Sequence, residues 1–209
     1  MDEIVYHYCS VDTFFNIIRN SSMWLSDIAK SNDYQECIRC REFVNKGMEE
    51  YLRNDVEALK AWKTWYENGV YSNFLMKTFC VCFSESKDKL SQWRGYAQDG
   101  KGIALGFNKD VLEELNQISK FHTAFGKVIY DNPQEYVQNI IADNIKKLEY
   151  KGVGHVALEL SENYRMQFPF VKNPGFEEEK EWRVVVCSTI GHCNCLLYTS
   201  PSPRDGATS

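Results

Sequence analysis

Short blocks of alternating apolar and polar residues recur along this chain, and each block has the period of a strand or a helix. Residues 79–83 alternate large apolar side chains with cysteine, the pattern of a strand with one buried face. Leu90, Trp93 and Ala97 follow at helical spacing, with Ser84 as the expected N-cap. The same reasoning predicts strands at residues 4–9, 23–26, 74–83, 103–107, 126–130 and 179–186. It predicts helices near residues 14–18, 36–67 with a break at 54–55, 90–97, 109–118, 133–150 and 156–164.

This order of elements predicts an α+β fold, because short strands are distributed along the chain with helices inserted between them. The 209 residues contain no internal repeat and no linker. We therefore expect a single domain over residues 1–194, built on a short-stranded mixed sheet. In the helix expected at 109–118, Val111, Leu112 and Leu115 should face inward.

The last residues, 195–209, do not continue the pattern. They read CLLYTSPSPRDGATS, a string that resembles the read-through translation of a sequencing adapter. We set this segment aside as a non-native tail. The expectation that follows is a domain truncated at its C-terminus, with further strands of the sheet missing.

Composition and charge narrow the class of protein. The formal net charge of −5 does not indicate a nucleic-acid partner. No apolar run approaches the roughly 20 residues of a membrane span, and the chain does not start with a signal peptide, so we expect a cytoplasmic protein without a membrane partner. The glycine-rich phosphate loops, the His-Glu-x-x-His motif and the Gly-x-Ser-x-Gly motif do not occur, which disfavours the common NTPase, Rossmann and hydrolase classes.

Eight cysteines raise the question of a metal site. Cys37 and Cys40 have the spacing of a zinc-ligand pair, but a structural zinc site needs four ligands and the four histidines are scattered. Reduced thiols are the expected state of a cytoplasmic protein. Whether Cys37 and Cys40 bind a metal stays open, and we assign no metal ligand.

Two aromatic segments contain candidate binding residues. His7 lies between Tyr6 and Tyr8 on the first predicted strand, so its side chain should face away from those rings. Trp93 and Tyr96 share one helical stripe. We expect Trp93 in the core, whereas Tyr96 lies between Gly95 and Ala97 and has room for a flat ligand on its ring.

The acidic segment near residue 180 contains the candidate catalytic carboxylates. Period two places Glu179, Glu181 and Arg183 on one side of the last predicted strand. Two adjacent carboxylates repel each other unless Arg183 or Lys172 neutralises one of them. A carboxylate in this position can stabilise positive charge that develops on a sugar carbon, although a solvated acidic face is an equally good interpretation.

A third polar cluster, Asn32, Asp33 and Glu36, lies at a turn and the start of a helix, where capping accounts for Asp33. These positions complete a set of motifs. In the order and spacing of this set the chain resembles, over residues 4–186, the uncharacterised bacterial family called domain of unknown function 2971. The motifs are Tyr6-His7-Tyr8, Trp24-Leu25-Ser26, Asn32-Asp33 with Glu36, Cys82-Phe83-Ser84, Trp93-x-x-Tyr96-Ala97, Gly102-x-x-x-Gly106-Phe107, Val128-x-Tyr130, Lys172 and Phe176-x-x-Glu179-x-Glu181-Trp182-Arg183.

The order of elements is also similar, more weakly, to ADP-ribosyltransferase-like folds. That resemblance implies NAD as the substrate: His7 would hold a ribose hydroxyl, Tyr96 would stack on the nicotinamide, and Glu179 or Glu181 would bind the other ribose. Ser84 and Arg183 complete the expected cofactor-binding set with His7 and Tyr96, and Tyr96 is also expected to be catalytic, together with Glu179 and Glu181. The implied function is an NAD-consuming transferase of a toxin or phage-defence system, with an unidentified acceptor.

Two other functions remain open. One is a non-catalytic module that binds a nucleotide or a peptide in the same cleft. The other is a metal-dependent, nuclease-like hydrolase with Asp33, Glu36, Glu179 and Glu181 as ligands. Geometry separates them, because the transferase needs His7, Tyr96 and a late glutamate around one pocket.

Overall fold

A computed structural model describes residues 3–31, 34–71, 76–117 and 122–189. Its strands are β1 Ile4–Cys9, β2 Ser26–Asp27, β3 Met76–Ser84, β4 Ile103–Asn108, β5 His122–Lys127 and β6 Glu181–Thr189. Its helices are α1 Val11–Asn20, α2 Tyr34–Tyr51, α3 Val56–Tyr71, α4 Leu90–Tyr96, α5 Lys109–Glu113, α6 Pro133–Ile145 and α7 Leu148–Met166. Asn32, Asp33 and the 195–209 tail lie outside the described residues.

The strands form one sheet in the order β4-β1-β3-β6-β5, with β2 paired to β3 beside this path. The expected α+β class is confirmed. The prediction of a mixed sheet was wrong, because every pairing between the described strands is antiparallel. Parallel pairing occurs at an isolated bridge between Ile129 and Val171. The long β3–β6 ladder, from Met76–Thr189 to Ser84–Glu181, forms the centre of the sheet.

Alternation along β3 divides the sheet into two buried faces. Cys80 and Cys82 face the larger core, which α2, α3, α6 and α7 cover with side chains such as Trp62. Val81 and Phe83 face a smaller apolar cluster on the opposite side, and Val5 belongs to the same cluster. The sheet is therefore covered on both faces, and a polar side chain that it buries needs a partner. None of the described helices combines the length and the apolar character that a membrane crossing requires.

Two local predictions about the helices were wrong. Ser84 does not cap α4, because it is the last residue of β3 and Lys89 occupies the N-cap position. Val111 is 59% exposed rather than inward-facing. The reason is that Leu112 and Leu115, three residues apart, share the inward face, and Val111 lies about 100° around the helix from Leu112. Leu112 and Leu115 do pack against the smaller cluster.

The contact between the end of β1 and the start of β4 requires a glycine. A Cβ at Gly102 would lie 2.2 Å from the carbonyl oxygen of Cys9 and 2.8 Å from the Cα of Ala97. We expect Gly102→Ala to destabilise the fold by about 1–3 kcal/mol in urea unfolding, because backbone atoms must move apart. Gly154→Ala in α7 is the matched control, since Trp65 lies at 3.4 Å there and alanine favours a helix. Equal stability of the two variants would contradict this packing.

Candidate functional site

A small cavity lies where β1 and β3 separate. The two strands share one paired position, Tyr6 with Ser84, whereas β1 pairs with β4 along its whole length. The cavity has a volume of about 60 Å³. Its walls come from β1, β3, α4, the 3₁₀ segment before β6 and the start of β6. They comprise Tyr6, His7, Tyr8, Cys82, Phe83, Gln92, Tyr96, Glu179 and Glu181. His7, Tyr96 and both late glutamates thus lie around one cavity.

The His7 ring spans the gap between β1 and β3. Its Nδ1 lies 2.9 Å from the carbonyl oxygen of Cys82. Because a carbonyl only accepts, Nδ1 carries the proton and Nε2 is the accepting nitrogen of the neutral ring. Burial lowers the pKa of His7 and outweighs the opposing effect of the Cys82 hydrogen bond. His7 is therefore an uncharged side chain at neutral pH.

A buried lysine neutralises the paired carboxylates. The Nζ of Lys172 lies 2.6 Å from Oε2 of Glu179 and 2.9 Å from Oε2 of Glu181. Arg183 donates twice to Glu181, from Nε at 2.8 Å and from Nη2 at 3.0 Å. Burial by itself raises the pKa of Glu181, but the charges of Arg183 and Lys172 outweigh it and lower this pKa to about 2. Glu181 is thus a carboxylate at every physiological pH.

The two glutamates come together through a turn rather than along one strand. Glu179 ends the 3₁₀ segment Pro174–Glu179, and Lys180 follows with a φ of 44°, in the left-handed region. This turn leads directly into β6 at Glu181. Period two therefore predicted the correct neighbours, although Glu179 does not belong to the strand.

Tyr96 is the aromatic residue that α4 contributes to the cavity wall. It is the last residue of this helix, and 39% of its surface is accessible. Burial of the hydroxyl, together with the nearby charge of Glu179, raises its pKa. Trp93 supports the wall from behind: its ring meets that of Tyr8 edge-on at 4.9 Å, and its Nε1 donates to Asp88. Trp93 is partly exposed and belongs to neither core cluster, so its expected place in the core was wrong.

Ser84 and Arg183 do not line the cavity. The Ser84 hydroxyl donates to the carbonyl oxygen of Glu179 at 2.7 Å and accepts from the amide of Ser86. Arg183 holds Glu181 and also donates to the carbonyl of Pro169. Both side chains fix the backbone and carboxylate positions of the site. Their expected role in binding a cofactor stays a prediction.

Sequence reasoning missed Gln92 in the cavity wall. Its side chain is buried, with 6% of its surface accessible, and it faces the cavity beside Tyr96. The signal was present in the spacing, because residues four apart share one face of a helix. Tyr130 was also missed as a supporting residue: its hydroxyl accepts from the amide of Glu181 at 3.1 Å.

The metal-dependent hypothesis gains no support from the described residues. Within them, no group of three or more histidine, cysteine, aspartate or glutamate side chains has the arrangement of a metal site. Cys37 and Cys40 are buried in the larger core on α2. Asp33 lies outside the described residues, and the side chain of Glu36 is not among those described.

The fold and the cavity define an α+β protein with an ion-paired, aromatic-walled pocket. Residues 92–184 match the model of the family described as "Protein of unknown function (DUF2971)". This match confirms the family resemblance, and it covers Tyr96, Lys172, Glu179, Glu181 and Arg183. No curated protein and no solved structure matches the chain. The comparisons therefore give no support to the weaker resemblance to ADP-ribosyltransferase-like folds.

Removal of the Lys172 charge should destabilise the protein strongly. We expect Lys172→Met to cost about 3–5 kcal/mol at pH 7 in urea unfolding, because Glu179 loses its buried cation while Arg183 stays paired with Glu181. Without this cation the pKa of Glu181 rises, so this group accepts a proton more readily in acid. The difference from the native protein should therefore shrink at pH 4. Lys146→Met, which removes an exposed pair with Asp143, should leave stability nearly unchanged. A Lys172→Met deficit as small as this would contradict the assignment.

The pKa of Glu181 also makes stability depend on pH. The folded pKa of about 2 lies below the ordinary value of 4.5, so the folded state binds this proton less readily than the unfolded chain does. The linkage contributes about 3 kcal/mol above pH 4.5, and the contribution is lost as the pH falls towards 2. The side-chain carboxyl signal of Glu181 in a carbon NMR titration should stay that of a carboxylate down to about pH 3. A midpoint above pH 4 would contradict the ion pairing.

Proposed function

We propose that this protein is an NAD-consuming, ADP-ribosyltransferase-like enzyme whose substrate enters the cavity between β1, β3 and α4. The observation that carries the proposal is the convergence of His7, Tyr96 and Glu179 on this one cavity. These residues come from three separate parts of the chain. They supply a neutral ring nitrogen, an aromatic face and a carboxylate, which suit a ribose hydroxyl, a flat leaving ring and a developing positive charge.

The reaction breaks the bond between the nicotinamide nitrogen and C1′ of the ribose. The bonding electron pair leaves with nicotinamide, and positive charge develops on the ribose carbon. A carboxylate fixed near that carbon stabilises the charge without reorganisation. The acceptor then forms a new bond to C1′ and releases its proton to solvent. Water as acceptor would give hydrolysis, and a protein or nucleotide hydroxyl would give transfer.

Glu179 suits the catalytic role better than Glu181 does. Three hydrogen bonds from Lys172 and Arg183 hold the two oxygens of Glu181. Glu179 is held by Lys172 through Oε2. A carboxylate with fewer competing cations retains more of its negative field for a substrate. We therefore assign charge stabilisation to Glu179 and the positioning of Lys172 to Glu181.

The chemistry of the wall fits the nicotinamide end of NAD, but the present volume does not. A cavity of about 60 Å³ holds about two water molecules, at ~30 Å³ each, and is smaller than a pyridine ring with its carboxamide. Tyr96 is the wall residue that can make room, because it lies at the end of α4 and is partly exposed. The chain turns directly after it through left-handed residues Gln98, Asp99 and Gly100. The proposal therefore includes displacement of the Tyr96 ring on binding.

The test is release of nicotinamide from NAD, followed by chromatography. We expect turnover by the native chain and a loss of about 10²–10³-fold in Glu179→Gln, which keeps the shape of the side chain but removes its charge. Glu177→Gln, an exposed change in the same 3₁₀ segment, is the matched control and should retain full turnover.

Thermal unfolding of the variants shows whether each one is folded. Saturable NAD binding without turnover by the native chain would favour the non-catalytic binding module. Absence of both binding and turnover would overturn the proposal, as would full turnover by a folded Glu179→Gln variant.

A further inference from the structure

Gln92 is a buried polar side chain in the wall of the cavity. The side chains of Asp27, Ser84 and Ser161 are also buried and hydrogen-bond within the protein, whereas Oδ1 of Asn144 is buried without a partner. The side-chain amide of Gln92 makes no hydrogen bond within the described residues, although 94% of its surface is covered. It faces the cavity.

The amide of Gln92 stays accessible from the cavity, where it can pair with water or with a ligand. Leucine or methionine would fill a similar volume at this position of α4 with similar helix propensity and without a polar group to satisfy. A ligand that pairs with the amide would account for a glutamine here.

The chemistry of the amide specifies the ligand group. A primary amide presents a donor and an acceptor side by side, and its best complement is a second primary amide in the opposite orientation. A carboxylate offers acceptors alone. A carboxylate in the cavity would therefore leave the acceptor oxygen of the Gln92 amide unpaired.

The position of Gln92 agrees with this ligand. Gln92 and Tyr96 lie four residues apart on α4, and both line the cavity. One helix therefore supplies the aromatic face and, one turn away, the amide. A ring that stacks on Tyr96 has a substituent within reach of Gln92 if that substituent extends along the axis of α4.

We infer that Gln92 recognises the carboxamide of a nicotinamide ring, so that the cavity selects NAD over the deamidated dinucleotide, which has nicotinic acid in its place. This inference rests on the proposed function and adds to it the group that sets substrate specificity. Gln92 is a binding residue in this assignment, and the bond-breaking step does not require it.

The test compares the affinities of the full chain for NAD and for the deamidated dinucleotide by titration calorimetry. The native chain should prefer NAD. Gln92→Leu should weaken NAD binding about tenfold, the value of one hydrogen-bonded pair, and leave the affinity for the deamidated form unchanged. Gln138→Leu, an exposed change on α6, is the matched control and should keep the native preference.

Thermal unfolding supplies a second measurement. Because Gln92→Leu removes an unpaired buried amide, its Tm without ligand should equal or exceed that of the native chain, while the rise in Tm on addition of NAD should be smaller. If Gln92→Leu does not fold, Gln92→Met replaces it in both measurements.

The outcomes separate the two proposals. Binding of NAD with an unchanged preference in the folded variant would overturn the role of Gln92 and leave the proposed function intact. Failure of the native chain to bind either dinucleotide would overturn both.

Discussion

The ammonium group of Lys172, placed between Glu179 and Glu181, is the interaction on which the site depends. It allows two carboxylates to occupy adjacent buried positions where they would otherwise repel each other. It also joins the 3₁₀ segment before β6 to β6 itself. The segment that contains Lys172 is held in turn, because its backbone amide donates to Ile129 beside β5. Lys172 therefore both balances the charge of the two glutamates and fixes the course of the backbone before β6.

Burial acts on the charged groups of this cavity in opposite directions. It removes the charge from His7 by lowering its pKa, and it would neutralise Glu181 if no cation were present. The charges of Lys172 and Arg183 keep Glu181 ionised, whereas His7 stays uncharged. One small cavity thus contains an uncharged basic nitrogen and an ionised carboxylate. Free side chains give this combination above about pH 6.5, and the lowered pKa values of both groups extend it to lower pH.

Elements set by local patterns were predictable from the sequence. The alternation over Ile4–Cys9 gave β1 with its correct bounds, and Asn54 with Asp55 marked the break between α2 and α3. The cap of α4 was not predictable. The Ser84 hydroxyl has the right chemistry for a cap, but it is already bonded to the carbonyl of Glu179, 95 residues away. The local sequence around Ser84 does not show that its hydroxyl bonds to this distant carbonyl.

The candidate site shows the same division. His7, Tyr96, Glu179 and Glu181 were predicted, because aromatic neighbours and paired carboxylates are visible in the sequence. The positions of Ser84 and Arg183 behind the wall depend on contacts between distant segments. Gln92 was missed for a different reason: a single glutamine in a helix is unremarkable until burial and the absence of a partner are known. Those two properties exist only in the folded chain.

The single paired position between β1 and β3 makes this boundary the least hydrogen-bonded one in the sheet. The β1–β4 ladder and the ladders among β3, β6 and β5 are long. The sheet therefore consists of two extensively paired parts that share a single paired position. Among the residues described, His7 and Tyr8 on β1 both hydrogen-bond to backbone carbonyls on the β3 side, at Cys82 and Ser86. A molecule bound both by His7 on β1 and by Glu179 beside β6 would link the two parts of the sheet. Its binding free energy would then add to the cohesion of the sheet, so that occupancy and folding stability rise together.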